Sequence, residues 1–365
     1  MKIVFIIDNL VVAGAQTHLA RLVNGLLKQT VAAKVICLGP VDDAILKILA
    51  PRDIVRVDMS SIRKPAFWRG FGQLLTTLKR ERPDIVHTYL NTANVFGVVA
   101  AKLSGVPVVV SSRRDMGHFR TGRIAKMETF LNCFVNKVVC VSSAVCEHVI
   151  RQEKLDPGRA VVLYTGVDVA DFCPQPAGVR RTRQVTIGMV ATMDREVKGH
   201  RHCIQAAQQV LALRQDVKFV LVGDGPLKNS LIDDVTAQRI KDFFEFRGAA
   251  SAVYRELASF DIFVLPSSSE GFSNAILEAM AMELPVVAQA VEGNLEIVED
   301  GQTGFLTKLG DPADMAAKML TLVDSAQRRT AMGSAARRRV LENFTVEKMV
   351  ERYQKFYAEI YSARP

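Results

Sequence analysis

Two successive series of short β-branched runs, separated by amphipathic segments, predict an α/β chain built from two Rossmann-like domains. The first series is "KIVFIID", "AKVICLG", "DIVHTYL", "VPVVVSS", "KVVCVSS" and "AVVLY". The second is "VTIGMVA", "VKFVLVG", "FFEFRG", "DIFVLPS", "LPVVAQA" and "GFLT". Strands apolar throughout and spaced by helices belong to parallel sheets covered on both faces. The length, 365 residues, supports two full cores. Prolines, a glycine and an arginine cluster break the pattern in "DFCPQPAGVRRTRQ", residues 171–184. This places a first domain at 1–172 and a second at 173–344. The stretch from about 311 to 361 reads as helical only.

Composition narrows the class. Hydrophobic residues make up 49% and charged residues 23%, as in an ordinary soluble globular protein. No apolar run approaches the ~20 residues of a membrane span. The opening "MKIVFIIDNLVVAGAQ" is interrupted by Asp8 and Asn9 and reads as a strand and loop, not a secretory signal. The six cysteines are scattered, with no C-x-x-C and no histidines at metal spacing, so reduced, mostly buried thiols in the cytosol are expected. Charge is uneven. Residues 1–170 carry 23 Lys/Arg against 13 Asp/Glu, whereas 171–365 carry 24 against 25. A basic first half points to an acidic partner surface.

In open parallel sheets, ligands bind beyond the carboxyl ends of strands and against helix N-termini. With two such domains, the cleft between them is the expected site. "EGFSNAILE" follows the strand "DIFVLPS" and opens a helix. Ile276, Leu277, Met280 and Ala281 share one face, and Glu278 lies roughly opposite. The N–H groups of the first turn, around Ser273 to Ala275, suit a diphosphate. Eight helical residues span about 12 Å, beyond the ~5–10 Å of a carboxylate pair flanking one glycosidic bond. Glu270 and Glu278 therefore suit a long ligand held at two points. By spacing alone, a solvated Glu278 fits equally well.

The longer stretch "EGFSNAILEAMAMELPVVAQAVEGNLEIVEDGQTGFL" closely resembles the Glu-x7-Glu signature of family-4 glycosyltransferases, whose fold is GT-B. The resemblance implies that Glu270 binds sugar hydroxyls of a nucleotide-sugar donor and Glu278 the ribose. The backbone of Gly271, Phe272, Ser273 and Asn274 lines the sugar and diphosphate. "VATMDREVKGHRHCIQAA" resembles the family's loop with an Arg and a Lys on the diphosphate; Lys198 matches. Thr192 stands where the Arg usually is, and Arg195 is the nearby substitute. Cations there stabilise the charge that develops on the leaving group. "VLVGDGPLKNSL" resembles the G-x-G-P turn, with Gly223 and Gly225 approaching the nucleotide. "FEFRGAAS" resembles the loop that meets the base, making Arg247 either a neighbour of the base or a surface charge.

In the first half, "NLVVAGAQTHLARLVNGLL" resembles the Gly-Gly-Ala loop that meets the donor phosphate; Ala13 replaces the first glycine and Gly14 remains. "PDIVHTYLNTANVFG" resembles the segment whose His lies near the acceptor, and His87 fits that role or a hydrogen-bonded core position. Many members place a His after the next strand. Here "VVVSSRRDMGH" offers Arg113 and Arg114, suited to an acceptor phosphate or to a solvent-facing pair. The stretch 112–137 interleaves Arg113, Arg114, Arg120, Arg123 and Lys126 with Phe119, Ile124, Met127, Phe130, Leu131 and Phe134. Such a segment can lie on an anionic membrane, or turn its apolar side to the core. No aromatic platform or recognition motif supports nucleic acid.

No Asp-x-Asp occurs, the motif with which GT-A transferases usually hold a metal on the diphosphate. No metal and no other cofactor is therefore expected, the nucleotide-sugar being a substrate. The resemblance thus implies a retaining transferase moving a hexose-type sugar, with UDP as the expected nucleotide, to a glycan or lipid-linked acceptor. The expected setting is envelope polysaccharide or lipopolysaccharide synthesis at the cytoplasmic face of the membrane. It also implies an acceptor-binding first domain, a donor-binding second domain, and a last helix, about 345–365, that crosses back onto the first. A GT-B nucleotide-sugar epimerase and a non-catalytic nucleotide-sugar-binding membrane scaffold stand as alternatives.

Overall fold

The structure, a computed structural model, describes residues 1–59, 64–117, 122–174 and 184–363. It divides into two compact units, Met1–Gly166 joined by Val346 onward, and Val167–Thr345.

The first unit holds seven strands: β1 (Lys2–Ile7), β2 (Ala32–Cys37), β3 (Ile54–Arg56), β4 (Ile85–Tyr89), β5 (Val108–Arg113), β6 (Lys137–Cys140) and β7 (Ala160–Val162). They pair in parallel in the order β3-β2-β1-β4-β5-β6-β7. Every residue of β4 and β5 is buried, as the continuous apolar runs require of central parallel strands. The order reverses between β1 and β4, in register from Ile3↔Ile85 to Ile7↔Tyr89. That reversal opens a crevice at their carboxyl ends.

The second unit repeats the plan with β8 (Val185–Val190), β9 (Val217–Val222), β10 (Phe244–Phe246), β11 (Ile262–Leu265), β12 (Val286–Gln289) and β13 (Gly304–Thr307). Their order is β10-β9-β8-β11-β12-β13, again all parallel, with the reversal at β8 and β11. Every run read as a strand forms one. Among the described residues the sequence reading misses only β3, a half-exposed edge strand of three residues, too short to show a pattern.

The terminal helix Val346–Ser362 packs in the first unit, as expected of the fold. Met349, Val350, Tyr353, Phe356 and Tyr357 join Phe5, Ile7, Leu19, Leu22 and Leu26 in one buried cluster. Each such side chain contributes about 1.5–3 kcal/mol of burial. The helix crosses Gly14–Lys28 so closely that a Cβ on Gly25 would lie 2.3 Å from Val350 Cγ2.

The boundary lies earlier than the expected Phe172. Val167 bridges Thr345, Phe172 is buried, and the Phe172 carbonyl accepts from Arg337 at 3.2 Å, so these residues belong to the second unit. Most of the Pro/Arg-rich stretch, 175–183, falls outside the described residues. The cysteines are less buried than expected: Cys37, Cys140 and Cys203 are buried, whereas Cys133 and Cys173 are exposed. No helix among the described residues is long and apolar enough to cross a membrane.

Candidate active site

In the second unit the loops after β8, β9 and β11 lock together. After β8, Gly199 adopts φ +75° and ends the turn that carries Lys198; a Cβ there would lie 2.0 Å from the Pro266 carbonyl oxygen of the loop after β11. Ser268 N donates to Val197 O at 2.9 Å. This contact brings Lys198 Nζ to 2.8 Å from Glu270 Oε1, with the lysine side chain 30% exposed and the glutamate 10%. Glu270 is held from behind: its N–H donates to Glu292 Oε2 at 3.0 Å, and its carbonyl accepts from Gly293 N at 3.0 Å.

The helix Asn274–Ala281 begins directly after this loop. The Ser273 hydroxyl caps it by accepting from Ile276 N at 3.3 Å, and its first turn bears no acidic side chain. The positive end of the helix is therefore not offset locally, which suits an anion. Ile276, Leu277, Met280 and Ala281 are buried, as the spacing predicts, and Glu278 is half-buried. Gly271, Phe272 and Ser273 are buried beside Glu270, and Asn274 is half-buried. The Phe272 ring turns inward onto Phe344, 5.6 Å between centroids, so its side chain is not presented at the loop surface.

Gly223 and Gly225, after β9, have φ +146° and +153°. A Cβ at Gly223 would sit 1.9 Å from Ala191 O, and one at Gly225 2.4 Å from Met193 O. Only glycine allows this turn to nest against the loop after β8.

Two basic residues lie towards the surface. Arg195 lies on the surface, 3.8 Å from Asp194 Oδ2, and the Thr192 hydroxyl donates to Asp194 Oδ1 at 2.7 Å. The Arg247 guanidinium is drawn into a surface ion network, donating to Glu245 Oε1 at 2.7 Å and to Glu256 Oε2 at 2.7 Å. Hydrogen bonds from Arg247 and Lys218 pull the Glu245 carboxyl down to about 2. Of its two sequence readings, Arg247 shows the surface one.

In the first unit, Gly14 opens the helix Gly14–Lys28 with extended Ala13 at its cap and no acidic side chain in the first turn. The crevice at β1, β4 and β5 holds a buried polar network. The Asp8 carboxylate accepts from Thr92 N at 3.0 Å and Ala93 N at 2.6 Å, and burial still raises its pKa. His87 is wholly buried, with Nδ1 2.6 Å from Tyr357 Oη and Nε2 2.8 Å from Ser112 Oγ. Burial, then the nearby Arg114 charge, keeps its imidazole neutral. This is the core alternative of its two readings.

Arg113 corrects the sequence reading. Its guanidinium is 3% exposed and forms a fork with Glu153, Nε to Oε1 and Nη2 to Oε2 both 2.9 Å. It also donates to Ser111 Oγ at 2.6 Å and Asn132 Oδ1 at 3.2 Å, so it is neither solvent-facing nor free for a phosphate. Arg114 is half-buried, with Nη1 3.4 Å from His18 Nε2. Sequence reasoning missed His18, a buried histidine whose Nδ1 lies 2.9 Å from Thr165 Oγ1. Its place four residues before Leu22, on the apolar stripe of that helix, is the available signal. Arg120 lies outside the described residues, while Arg123 and Lys126 are exposed on the helix Gly122–Leu131.

Residues 12–171 match the model of Glycosyltransferase Family 4, and residues 184–325 that of Glycosyl transferases group 1. A UDP-Gal:alpha-D-GlcNAc-diphosphoundecaprenol alpha-1,3-galactosyltransferase of Escherichia coli is 29% identical over 79% of this chain and 78% of its own. An N-acetyl-alpha-D-glucosaminyl L-malate synthase of Bacillus anthracis is 33% identical over 46% of this chain and 43% of its own. The fold of Anabaena Alr3699/HepE, solved with UDP and glucose, superposes with a TM-score of 0.86 at 21% identity, covering 98% of this chain and 99% of that one. With the Lys198–Glu270 pair in place and both units matched, the chain belongs to the family-4 glycosyltransferases, of GT-B fold.

Proposed function

We propose that this glycosyltransferase moves a hexose-type sugar from a UDP-sugar to a glycan or lipid-linked acceptor, with retention and without a metal, in envelope polysaccharide or lipopolysaccharide synthesis. The observation that carries the reading is the Lys198–Glu270 contact of 2.8 Å, set between two glycine-tight loops and an N-terminal helix turn. Without donor, Glu270 serves as counter-ion to Lys198. With donor, the ammonium has a diphosphate to pair with, and the carboxylate is released to accept hydrogen bonds from sugar hydroxyls. Lys198 and the helix end then stabilise the charge that grows on the leaving diphosphate. Retention follows from same-face attack, with the acceptor oxygen losing its proton to the departing phosphate and no protein nucleophile needed.

The names of relatives support the donor and acceptor classes: that of the Escherichia coli relative gives UDP-Gal and alpha-D-GlcNAc-diphosphoundecaprenol. A Staphylococcus aureus relative, 22% identical over 78% of this chain, is a capsular polysaccharide biosynthesis glycosyltransferase. The exposed Arg123 and Lys126 support peripheral contact with the cytoplasmic face of an anionic membrane. The test is a thermal-shift series with UDP-, GDP- and ADP-sugars in EDTA, since a ligand that binds only the folded state raises Tm. A shift with UDP-sugars is expected. No shift with any of them overturns the donor site.

A further inference from the structure

The chain has a single tryptophan, Trp68, and it is 56% exposed on the helix Pro65–Glu81. A lone exposed apolar side chain needs no explanation, but this one is mounted. Phe67, buried beneath it, meets the indole edge-on at 5.5 Å between centroids, and Phe71 does so at 6.4 Å. Both phenylalanines rest on Phe96, at 4.8 and 6.2 Å. The indole is thus held outward by an aromatic base rather than left to fold back on the helix.

Its surroundings are basic. Lys64, Arg69, Lys79 and Arg80 are exposed along the same helix. The one carboxylate of the helix, Glu81, is occupied by Lys2 Nζ at 2.7 Å and Lys34 Nζ at 3.0 Å. The second helix of this face repeats the design. On Gly122–Leu131, Met127 and Phe130 are 45% and 69% exposed beside Arg123 and Lys126, while its own Glu128 is buried against Asn94 at 3.1 Å. Phe96 and Asn94 both belong to the short π-helical stretch Ala93–Gly97. One helix rests on the former and the other is tied to the latter, so the two helices flank the same stretch.

We propose that Trp68 is a membrane-inserting anchor, placed with Phe130 and the cations of both helices to seat the first unit on an anionic bilayer. The proposal rests on the membrane-contact reading above and adds a second helix to it. An indole suits the headgroup boundary, where its ring is apolar and its N–H stays hydrated. Among the described residues neither helix presents an exposed acid of its own, though exposed Asp58 lies against Gly70 of the first. The excess of cations favours an anionic surface over a second copy of this equally basic unit.

Because Trp68 is the sole tryptophan, its emission reports its own surroundings. Vesicles of phosphatidylglycerol and phosphatidylethanolamine are titrated into the full chain, with phosphatidylcholine vesicles as control. A blue shift and quenching by acyl-chain bromines are expected with anionic vesicles alone. Trp68→Ala should weaken vesicle co-sedimentation about tenfold and Trp68→Phe much less, with the UDP-sugar thermal shift unchanged in both. Co-sedimentation with unchanged emission overturns the anchor and leaves the Gly122–Leu131 contact standing. No co-sedimentation overturns both. Emission already blue in buffer, with a dimer in sedimentation velocity, overturns the proposal in favour of self-association. Loss of the UDP-sugar shift alone strikes the transferase reading and not this one.

Discussion

Lys198 and Glu270 are separated by 72 positions in sequence and meet at 2.8 Å, because the loops after the adjacent strands β8 and β11 touch through Gly199 and Pro266. With Lys198 30% and Glu270 only 10% exposed, the pair gains in attraction little more than it loses in desolvation, so it makes a small net contribution to stability. Its retention in so tight a frame is better explained by chemistry than by folding. Lys198→Met leaves the 10%-exposed Glu270 carboxylate without its counter-ion, so the urea midpoint should fall, while kcat should fall by about a hundredfold or more. Steady-state kinetics with a UDP-sugar, beside urea unfolding, separates the two effects. A variant that loses stability and keeps turnover contradicts the role.

The glycine turn after β9 gives a different signature. In Gly223→Ala the new methyl would lie 1.9 Å from Ala191 O at φ +146°. Relief requires the loop to move, at a cost of about 1–3 kcal/mol. Since that loop leads to Lys198, donor affinity should fall together with stability. Isothermal titration with UDP and urea unfolding on the same preparation would show both losses.

Acid sensitivity should come first from histidine. His200 is almost wholly buried, and burial lowers its pKa from 6.5 to about 4. Above about 6.5 both folded and unfolded chains leave it neutral, and stability is unaffected by this group. Below that value the unfolded chain takes the proton first, so stability falls as pH drops toward 4, by about 3 kcal/mol in all. His18 and His87, also held neutral by burial, act in the same direction. Glu81 and Glu245, both lowered to about 2 by lysine and arginine partners, act in a later window, from about 4.5 down to 2. Urea unfolding at several pH values should show the first loss between 6.5 and 4, and His200→Gln should flatten part of it.

The strands were legible because parallel strands covered on both faces must be apolar along their whole length, and the helix at Asn274 because Ile276, Leu277, Met280 and Ala281 fall on one face. Lys198 and Glu270 were legible because their chemistry is local to short motifs. Arg113 was not. A sequence shows a positive charge but not its partner, and the Arg113 partner Glu153 arrives 40 residues later on another element. Arg247 kept two readings, base neighbour or surface charge, because its pairing with Glu245 and Glu256 shows only in the folded chain. His18 was passed over because it stands on an apolar stripe, where a histidine reads as one more packed residue.

The packing of the terminal helix on the first unit rests on a missing side chain. A Cβ at Gly25 would lie 2.3 Å from Cγ2 of Val350, a member of the buried cluster. Gly25→Val should destabilise by about 1–3 kcal/mol or more through overpacking. Gly25→Ala combined with Val350→Ala should recover much of the loss of Gly25→Ala alone, a coupling that a double-mutant cycle measures. Additive effects would mean the two helices do not cross here.

Arg113 offers the sharpest test of what the structure corrects. Glu153→Gln leaves its guanidinium buried beside a neutral amide, which should cost about 3–5 kcal/mol. Replacing both partners, Arg113→Met with Glu153→Leu, removes the stranded charge and should restore part of that stability, the rest being lost because the buried Asn132 amide keeps neither partner. The double variant is then the informative protein for catalysis. If Arg113 only joins β5 to Glu153, the refolded double variant keeps its UDP-sugar thermal shift and a kcat within a few-fold of the parent. If turnover falls a hundredfold while stability and donor binding hold, the arginine reaches the reacting groups after all, as its position after the strand first suggested. Unfolding curves must accompany the kinetics, because a loss of folded protein would imitate that result in activity alone.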